Sequence, residues 1–222
     1  MKKLSQVIAL AGVMSAGLVG VQAVQAEVSA SAAVANNYIF RGLLMGSGTP
    51  AVSGSLDYAH ESGAYAGVWG TSGDTLAGDE YNVYFGFGGE ASGLSYDLNV
   101  LTYVYPGGLA ASVKSDLGQL TEVTASVGYG AIGLSVTAPV SDEADVFGND
   151  YVYTKLSLGY EAFGLVVANN AAEDGGAATD YTHVDLSYAF NDNVSFGLSK
   201  IVDGDISQRT LFQVSYSLPI EL

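Results

Sequence analysis

From Glu27 onward apolar residues recur at every second position, and the segments that do so are joined by connections that are alternately short and long. Between Glu80 and Phe87, Tyr81, Val83, Phe85 and Phe87 alternate with Glu80, Asn82, Tyr84 and Gly86. The rhythm continues with Leu94, Tyr96, Leu98 and Val100 against Ser95, Asp97 and Asn99, and with Val123, Ala125, Val127 and Tyr129 against Glu122, Thr124, Ser126 and Gly128. It returns as Thr182, Val184, Leu186, Tyr188 and Phe190 against His183, Asp185, Ser187 and Ala189. A period of two places one class of side chain on each face of a sheet, so the chain is all-β.

Reading every such run predicts twelve strands, near 28–42, 50–59, 63–71, 80–89, 93–105, 120–130, 132–139, 150–161, 163–170, 180–190, 193–201 and 210–218. Most are close to the length of about 9–11 residues that lets a tilted strand cross a bilayer. Short turns fall at His60-Glu61-Ser62, Glu90-Ala91-Ser92, Ala131, Ala162 and Asn191-Asp192. Long connections run over 43–49, 72–79, 106–119, 140–149, 171–179 and 202–209. An antiparallel up-and-down transmembrane β-barrel has short periplasmic turns and longer external loops, and an even strand count brings both termini to the short-turn side. A soluble periplasmic β-sandwich shares the alternation but has no reason to segregate its loops by length.

The first 26 residues read differently. Lys2 and Lys3 precede an apolar run from Val7 to Val21, which ends in Val24-Gln25-Ala26. This is the pattern of a Sec-type secretory signal cleaved near Ala26, and the run is too short and too rich in small residues for a spanning helix. The expected domains are therefore a removable signal over 1–26 and an outer-membrane barrel of a Gram-negative cell over 27–222. Loss of Lys2 and Lys3 moves the formal net charge from -16 to -18. So acidic a chain lacks the Lys and Arg that displace counterions from phosphate, which argues against a nucleic-acid partner. With no cysteine there is neither a disulfide framework nor a thiolate metal site.

Charge follows the loop division. Asp74, Asp79, Asp116, Asp142, Glu143, Asp145, Asp150, Glu173, Asp174, Asp180, Asp203 and Asp205 fall in the long connections or at their edges. The strand-interior charges Arg41, Asp57, Glu80, Asp97, Glu122, Lys155 and Asp185 all fall on the polar alternation. A basic residue facing lipid at mid-depth costs about 2–4 kcal/mol, so these seven are expected to face the lumen. Arg41, placed at the end of the first strand, is expected to pair with Asp57 on the next. Carboxylates outnumber the two bases, so a water-filled lumen would favour cations. Aromatic residues bound several strands, as Tyr151 and Tyr160 or Tyr181 and Phe190 do, in the manner of interfacial girdles.

Enzyme signals are weak. His60 falls in a periplasmic turn and His183 on the lumen alternation, where a phospholipid ester would not reach a serine–histidine pair. Asp142-Glu143-Ala144-Asp145 and Asp203-Gly204-Asp205 lack the spacing of a calcium loop. They read as solvated turns, with divalent bridging to lipopolysaccharide phosphate as an extension. Gly86-Phe87-Gly88-Gly89 has no Lys-Ser/Thr ending and no following helix, and so is not a phosphate loop. No catalytic residue, cofactor or metal is expected.

Asn37-Tyr38-Ile39-Phe40-Arg41-Gly42, followed by Pro50-Ala51-Val52-Ser53-Gly54-Ser55-Leu56-Asp57-Tyr58, resembles the TorF-type porin family of proteobacteria, also known as Gcw-type conserved hypothetical proteins. Gly67-Val68-Trp69-Gly70, Glu80-Tyr81-Asn82-Val83-Tyr84 and Tyr103-Val104-Tyr105-Pro106 continue the likeness, which covers roughly residues 36 to 106. The resemblance implies an outer-membrane location and a channel role, and brings no catalytic residues. The last strand departs from the common aromatic ending. It runs Phe212, Val214, Tyr216, Leu218 and then Pro219 to Leu222, so Tyr216 is the aromatic offered to the barrel-assembly machinery.

The function expected is an outer-membrane channel for passive diffusion of small solutes or ions, with lipid and lipopolysaccharide as its surroundings. The alternative is a non-conducting structural or surface-interaction barrel, its bore occupied by Tyr84, Tyr103, Tyr153 or the segment 106–119.

Overall fold

The computed structural model describes residues 27–46, 48–73, 78–109, 113–141, 151–172 and 179–221. The proposed signal over 1–26 lies outside them, as does Asp142-Glu143-Ala144-Asp145. In chain order the strands are β1 (Glu27–Ala35), β2 (Ile39–Phe40), β3 (Leu43–Leu44), β4 (Ala51–Ala59), β5 (Ala64–Thr71), β6 (Glu80–Ala91) and β7 (Leu94–Leu109). They continue as β8 (Val113–Tyr129), β9 (Ile132–Pro139), β10 (Tyr151–Tyr160), β11 (Phe163–Ala172), β12 (Tyr181–Ala189), β13 (Val194–Gly204) and β14 (Leu211–Glu221). All but β2 and β3 form one closed antiparallel barrel, in which β1 closes the ring between β4 and β14. The twelve barrel strands correspond to those the alternation predicts, most with ends shifted by a few residues, but the expected 28–42 stops seven residues early at Ala35 and the expected 120–130 starts seven residues early at Val113. Closure leaves no free edge, which is the condition for sheet to exist in hydrocarbon.

The barrel is apolar outside and polar inside. Leu56, Val68, Phe85, Leu98, Leu134, Leu156, Leu186 and Leu198 are exposed, while their neighbours Asn82, Asn99, Ser135, Asp185, Ser187 and Ser199 are buried. At the short-turn end Tyr58, Phe87, Tyr96, Tyr129, Tyr160, Phe163, Tyr188 and Phe190 are exposed on the outer wall. Some of them touch, as the Phe163 and Tyr188 rings do at 5.0 Å between centroids. That belt suits a membrane interface. Tyr151 and Tyr181, read from sequence as its counterparts at the other end, instead point into the bore, because they share the parity of Lys155 and Asp185.

Local chemistry makes the short turns. At the β12–β13 turn the Asn191 side chain accepts from the backbone N–H groups of Asn193 and Val194 at 2.9 and 2.7 Å, an Asx-type closure. At the β4–β5 turn Ser62 N donates to His60 Nδ1 at 3.1 Å. Residues 106–109 and 113–119, expected in a loop, instead continue the β7–β8 ladder, with Tyr105 opposite Ser115 and Leu109 opposite Val113 across two register shifts.

Candidate functional site: a hairpin across the bore

Between β1 and β4 the chain leaves the wall and turns inward as the β2–β3 hairpin, in which Ile39 pairs with Leu44 and Phe40 with Leu43. Arg41 and Gly42 form its two-residue tip with φ of 48° and 82°. Positive φ at both positions is the signature of the tight hairpin turn whose twist matches its strands, and it explains the glycine. The expected first strand over 28–42 therefore ends at Ala35, and Arg41 is not carried by the wall at all.

The root of this hairpin is clamped to β14. Asn36 Nδ2 and Asn37 Nδ2 donate to Phe212 O at 3.2 and 2.9 Å, Val214 N donates to Asn36 Oδ1 at 2.8 Å, and Gln213 Nε2 donates to Asn37 O at 2.8 Å. Ile39, 2% exposed, packs on Leu211 and Leu44. The tip then crosses the barrel. Phe40 meets Tyr103 of β7 edge-on at 6.1 Å, while Gly42 O accepts from Gln208 Nε2 at 2.8 Å and from Ser199 Oγ of β13 at 3.5 Å. In the ring of strands β7 and β13 stand opposite each other, so the hairpin spans the full bore.

Arg41 does not pair with Asp57. Its Nη2 donates to Glu122 Oε2 of β8 at 2.7 Å and its Nη1 to Tyr151 OH at 3.2 Å. The guanidinium also lies 4.5 Å from the centre of the Tyr153 ring and 4.8 Å from that of Phe40, contacts that stabilise a desolvated cation. Glu122 in turn accepts from Tyr103 OH at 2.8 Å and from Tyr151 OH. A buried ion pair is tolerated only when such hydrogen bonds satisfy the remaining lone pairs.

The other carboxylates are each held by the inner wall. Asp57 accepts from Ser55 Oγ at 2.7 Å and from Tyr84 OH. Glu80 accepts from Asn82 Nδ2 at 2.9 Å and from Tyr38 OH at 3.2 Å. Asp97 accepts from Tyr65 OH at 2.8 Å. Asp185 is hydrogen bonded to His183 Nδ1 at 3.1 Å, and the Nε2 of that ring to Tyr153 OH at 2.9 Å. Both nitrogens of His183 are thus engaged, and no serine hydroxyl is bonded to it among the described residues. Lys155 projects inward from β10 between these groups. His60 lies at the opposite, short-turn end, with Nδ1 at 2.9 Å from Ser62 Oγ.

Along a strand the inward residues shrink towards the short-turn end: Tyr151, Tyr153, Lys155, Ser157 and Gly159 on β10, and Tyr181, His183, Asp185, Ser187 and Ala189 on β12. The hairpin level is therefore filled, with His183 at 1% and Asn82 at 0% exposure. Below it Ser31, Ser55, Asp57, Ser126, Ser157, Ser195 and Ser217 remain partly exposed. The interior is a vestibule that narrows to a plane of aromatics, one ion pair and a hairpin tip.

Among solved structures the fold is similar to a KdgM porin, with a TM-score of 0.50 and 5% identity over 88% of this chain and 99% of that one. Acinetobacter baumannii outer membrane protein Omp33 aligns at a TM-score of 0.45 and 9% identity over 90% and 100% of the two chains. The outer membrane phospholipase A from Escherichia coli aligns at 0.44 and 10%, over 87% and 90%. Comparison with curated proteins finds no match. The likeness to the KdgM porin shows the porin-like, outer-membrane barrel fold. The sequence profile described as "Bacterial protein of unknown function (Gcw_chp)" matches residues 21–213, nearly all of the barrel, so the protein belongs to the Gcw_chp family.

Proposed function

We propose that this protein is an outer-membrane channel for the passive diffusion of small solutes or ions, preferring cations, and that it is not an enzyme. The observation that carries this reading is the Ser- and Gly-lined vestibule leading to the hairpin, whose side chains remain partly exposed. A barrel that only braced the envelope would gain from filling that space, since packed apolar side chains stabilise and small polar ones do not. Asp57, Glu80, Asp97, Glu122 and Asp185 outnumber Arg41 and Lys155 around the bore, which supports the cation preference. The TorF-type resemblance points the same way. Export by the Sec route with cleavage near Ala26, insertion by the barrel-assembly machinery, and contact of the acidic external loops with lipopolysaccharide through divalent ions complete the proposal.

The near-complete burial at the hairpin level favours a second reading, a plugged structural or surface-interaction barrel. Single-channel recording of the reconstituted barrel in a planar bilayer, with reversal potentials across a salt gradient, separates the two. Steady cation-selective steps are expected; a folded, heat-modifiable barrel that passes no current establishes the plug.

A further inference from the structure

The wall just beneath the hairpin holds two opposite charges that do not meet. Lys155 on β10 has no hydrogen bond or ion pair among the described residues, although Asp185 on β12 lies within electrostatic reach. Asp185 uses only Oδ1 on His183; its Oδ2 has no hydrogen-bond partner and is not sealed from solvent. One strand, β11, separates them and they stand two residues apart in register, so their backbones are about 12 Å apart. Lys155 is paired with Ala168 and Asp185 with Val166, so the floor between the two charges is made by two small apolar side chains. Tyr153 and His183, stacked at 5.9 Å and 14°, form the roof, and Gly42 of the hairpin closes it against the His183 ring. Ser157 and Ser187 leave the opposite side open to the vestibule.

We propose that this recess binds small zwitterionic solutes, with the Lys155 ammonium receiving a carboxylate, Asp185 receiving an ammonium group, and Val166 and Ala168 carrying the carbon skeleton between them. The proposal rests on the channel reading in that the recess is reached through the vestibule. A cation alone would meet the lysine's repulsion and an anion alone that of the aspartate. A molecule carrying both charges a few ångströms apart satisfies both groups at once, and each would otherwise depend on water. The closed roof makes the recess a resting place directly before the constriction.

The test uses glycine and glycolamide, isomers of which only the first is zwitterionic. Added to single channels of the reconstituted barrel, glycine is expected to lower the mean current in a saturable way at concentrations about tenfold below those at which glycolamide does so. Lys155→Met and Asp185→Asn should each abolish that difference in barrels that remain folded and heat-modifiable. Equal effects of the two isomers, an acetate effect matching that of glycine, or an undiminished glycine effect in either variant overturns the site. If the barrel passes no current, the channel reading has failed on its own. Saturation-transfer NMR of glycine against glycolamide on the folded barrel then decides the recess, with transfer to glycine expected to vanish in Lys155→Met, and no transfer to glycine in the parent protein rejecting it.

Discussion

Arg41 Nη2 lies 2.7 Å from Glu122 Oε2, joining the tip of an inward hairpin to the far wall of the barrel. Both side chains are at most 10% exposed, so removing one partner strands a buried charge, at a cost of about 3–5 kcal/mol. Arg41→Met should fall at the low end of that range, because Tyr103 and Tyr151 still donate to Glu122. The midpoint of heat-modifiable gel mobility should drop, and single-channel conductance should rise as the tip loses its tether. The double variant Arg41→Met/Glu122→Met should recover most of the stability but not the small conductance. Full additivity of the two single losses would show that the pair does not hold the hairpin.

Gly42 makes a sharper case. A methyl group there would stand 2.6 Å from His183 Cγ, on a backbone with φ of +82°. Gly42→Ala should therefore both strain the turn and lift it from the wall. Shortening His183 to Ala in the same chain relieves the collision but leaves the left-handed backbone, which costs an alanine about 1–2 kcal/mol. Denaturant unfolding of the single and double variants should show partial rescue. Complete rescue would mean that the turn can change its conformation freely.

Tyr65 and Tyr84 each cover the glycine opposite them on the neighbouring strand. Tyr65 is paired with Gly86 and reaches over it to Asp97 on β7; Tyr84 is paired with Gly67 and reaches over it to Asp57 on β4. The three atoms nearest a methyl at Gly67 all belong to side chains, with Tyr84 Cζ at 2.5 Å, whereas those nearest one at Gly86 include the backbone oxygen of Leu98 at 2.6 Å. Overpacking of this kind costs about 1–3 kcal/mol. Thermal unfolding should place Gly86→Ala below Gly67→Ala. The reverse order would mean that the tyrosines, not the backbone, are the rigid partners.

The two faces of the wall should answer a new charge in opposite ways. Leu186→Arg, on the lipid side of β12, is expected to cost about 2–4 kcal/mol in folding into bilayers. Ser126→Arg, on the vestibule side of β8, should fold nearly as well as the parent and shift the reversal potential towards anions. Equal folding losses would show that the vestibule is not hydrated.

The barrel strands were legible because each must satisfy lipid on one side and polar neighbours on the other, which writes the period of two plainly. The hairpin was hidden by that same signal. Asn37 to Arg41 carries the strand-forming run Tyr38-Ile39-Phe40, and β2–β3 is indeed extended; only its partner differs, and a partner is not a local property. Arg41-Gly42, two residues suited to a tight turn, was the available sign, and it was absorbed into the end of the first strand. Tyr151 and Tyr181 were misplaced for a related reason: a tyrosine suits an interface and a crowded bore equally, and only parity with Lys155 and Asp185 tells them apart. Pro106, Gly107 and Gly108 read as loop although β7 runs on through them to Leu109.

The seam between β1 and β14 sets an order of events. Ser29 to Ala35 must find Ser215 to Glu221, the two most distant stretches of the barrel in sequence, before any part of the ring is closed. The hairpin root is bonded to Phe212 and Val214 on that same late-arriving strand. The root of the hairpin therefore has nothing to hold until β14 arrives, although its tip is held by Tyr103, Glu122 and Tyr151 on β7, β8 and β10. The strand that completes the wall is thus the same one that clamps the obstruction in place, so closure and constriction share a single structural element.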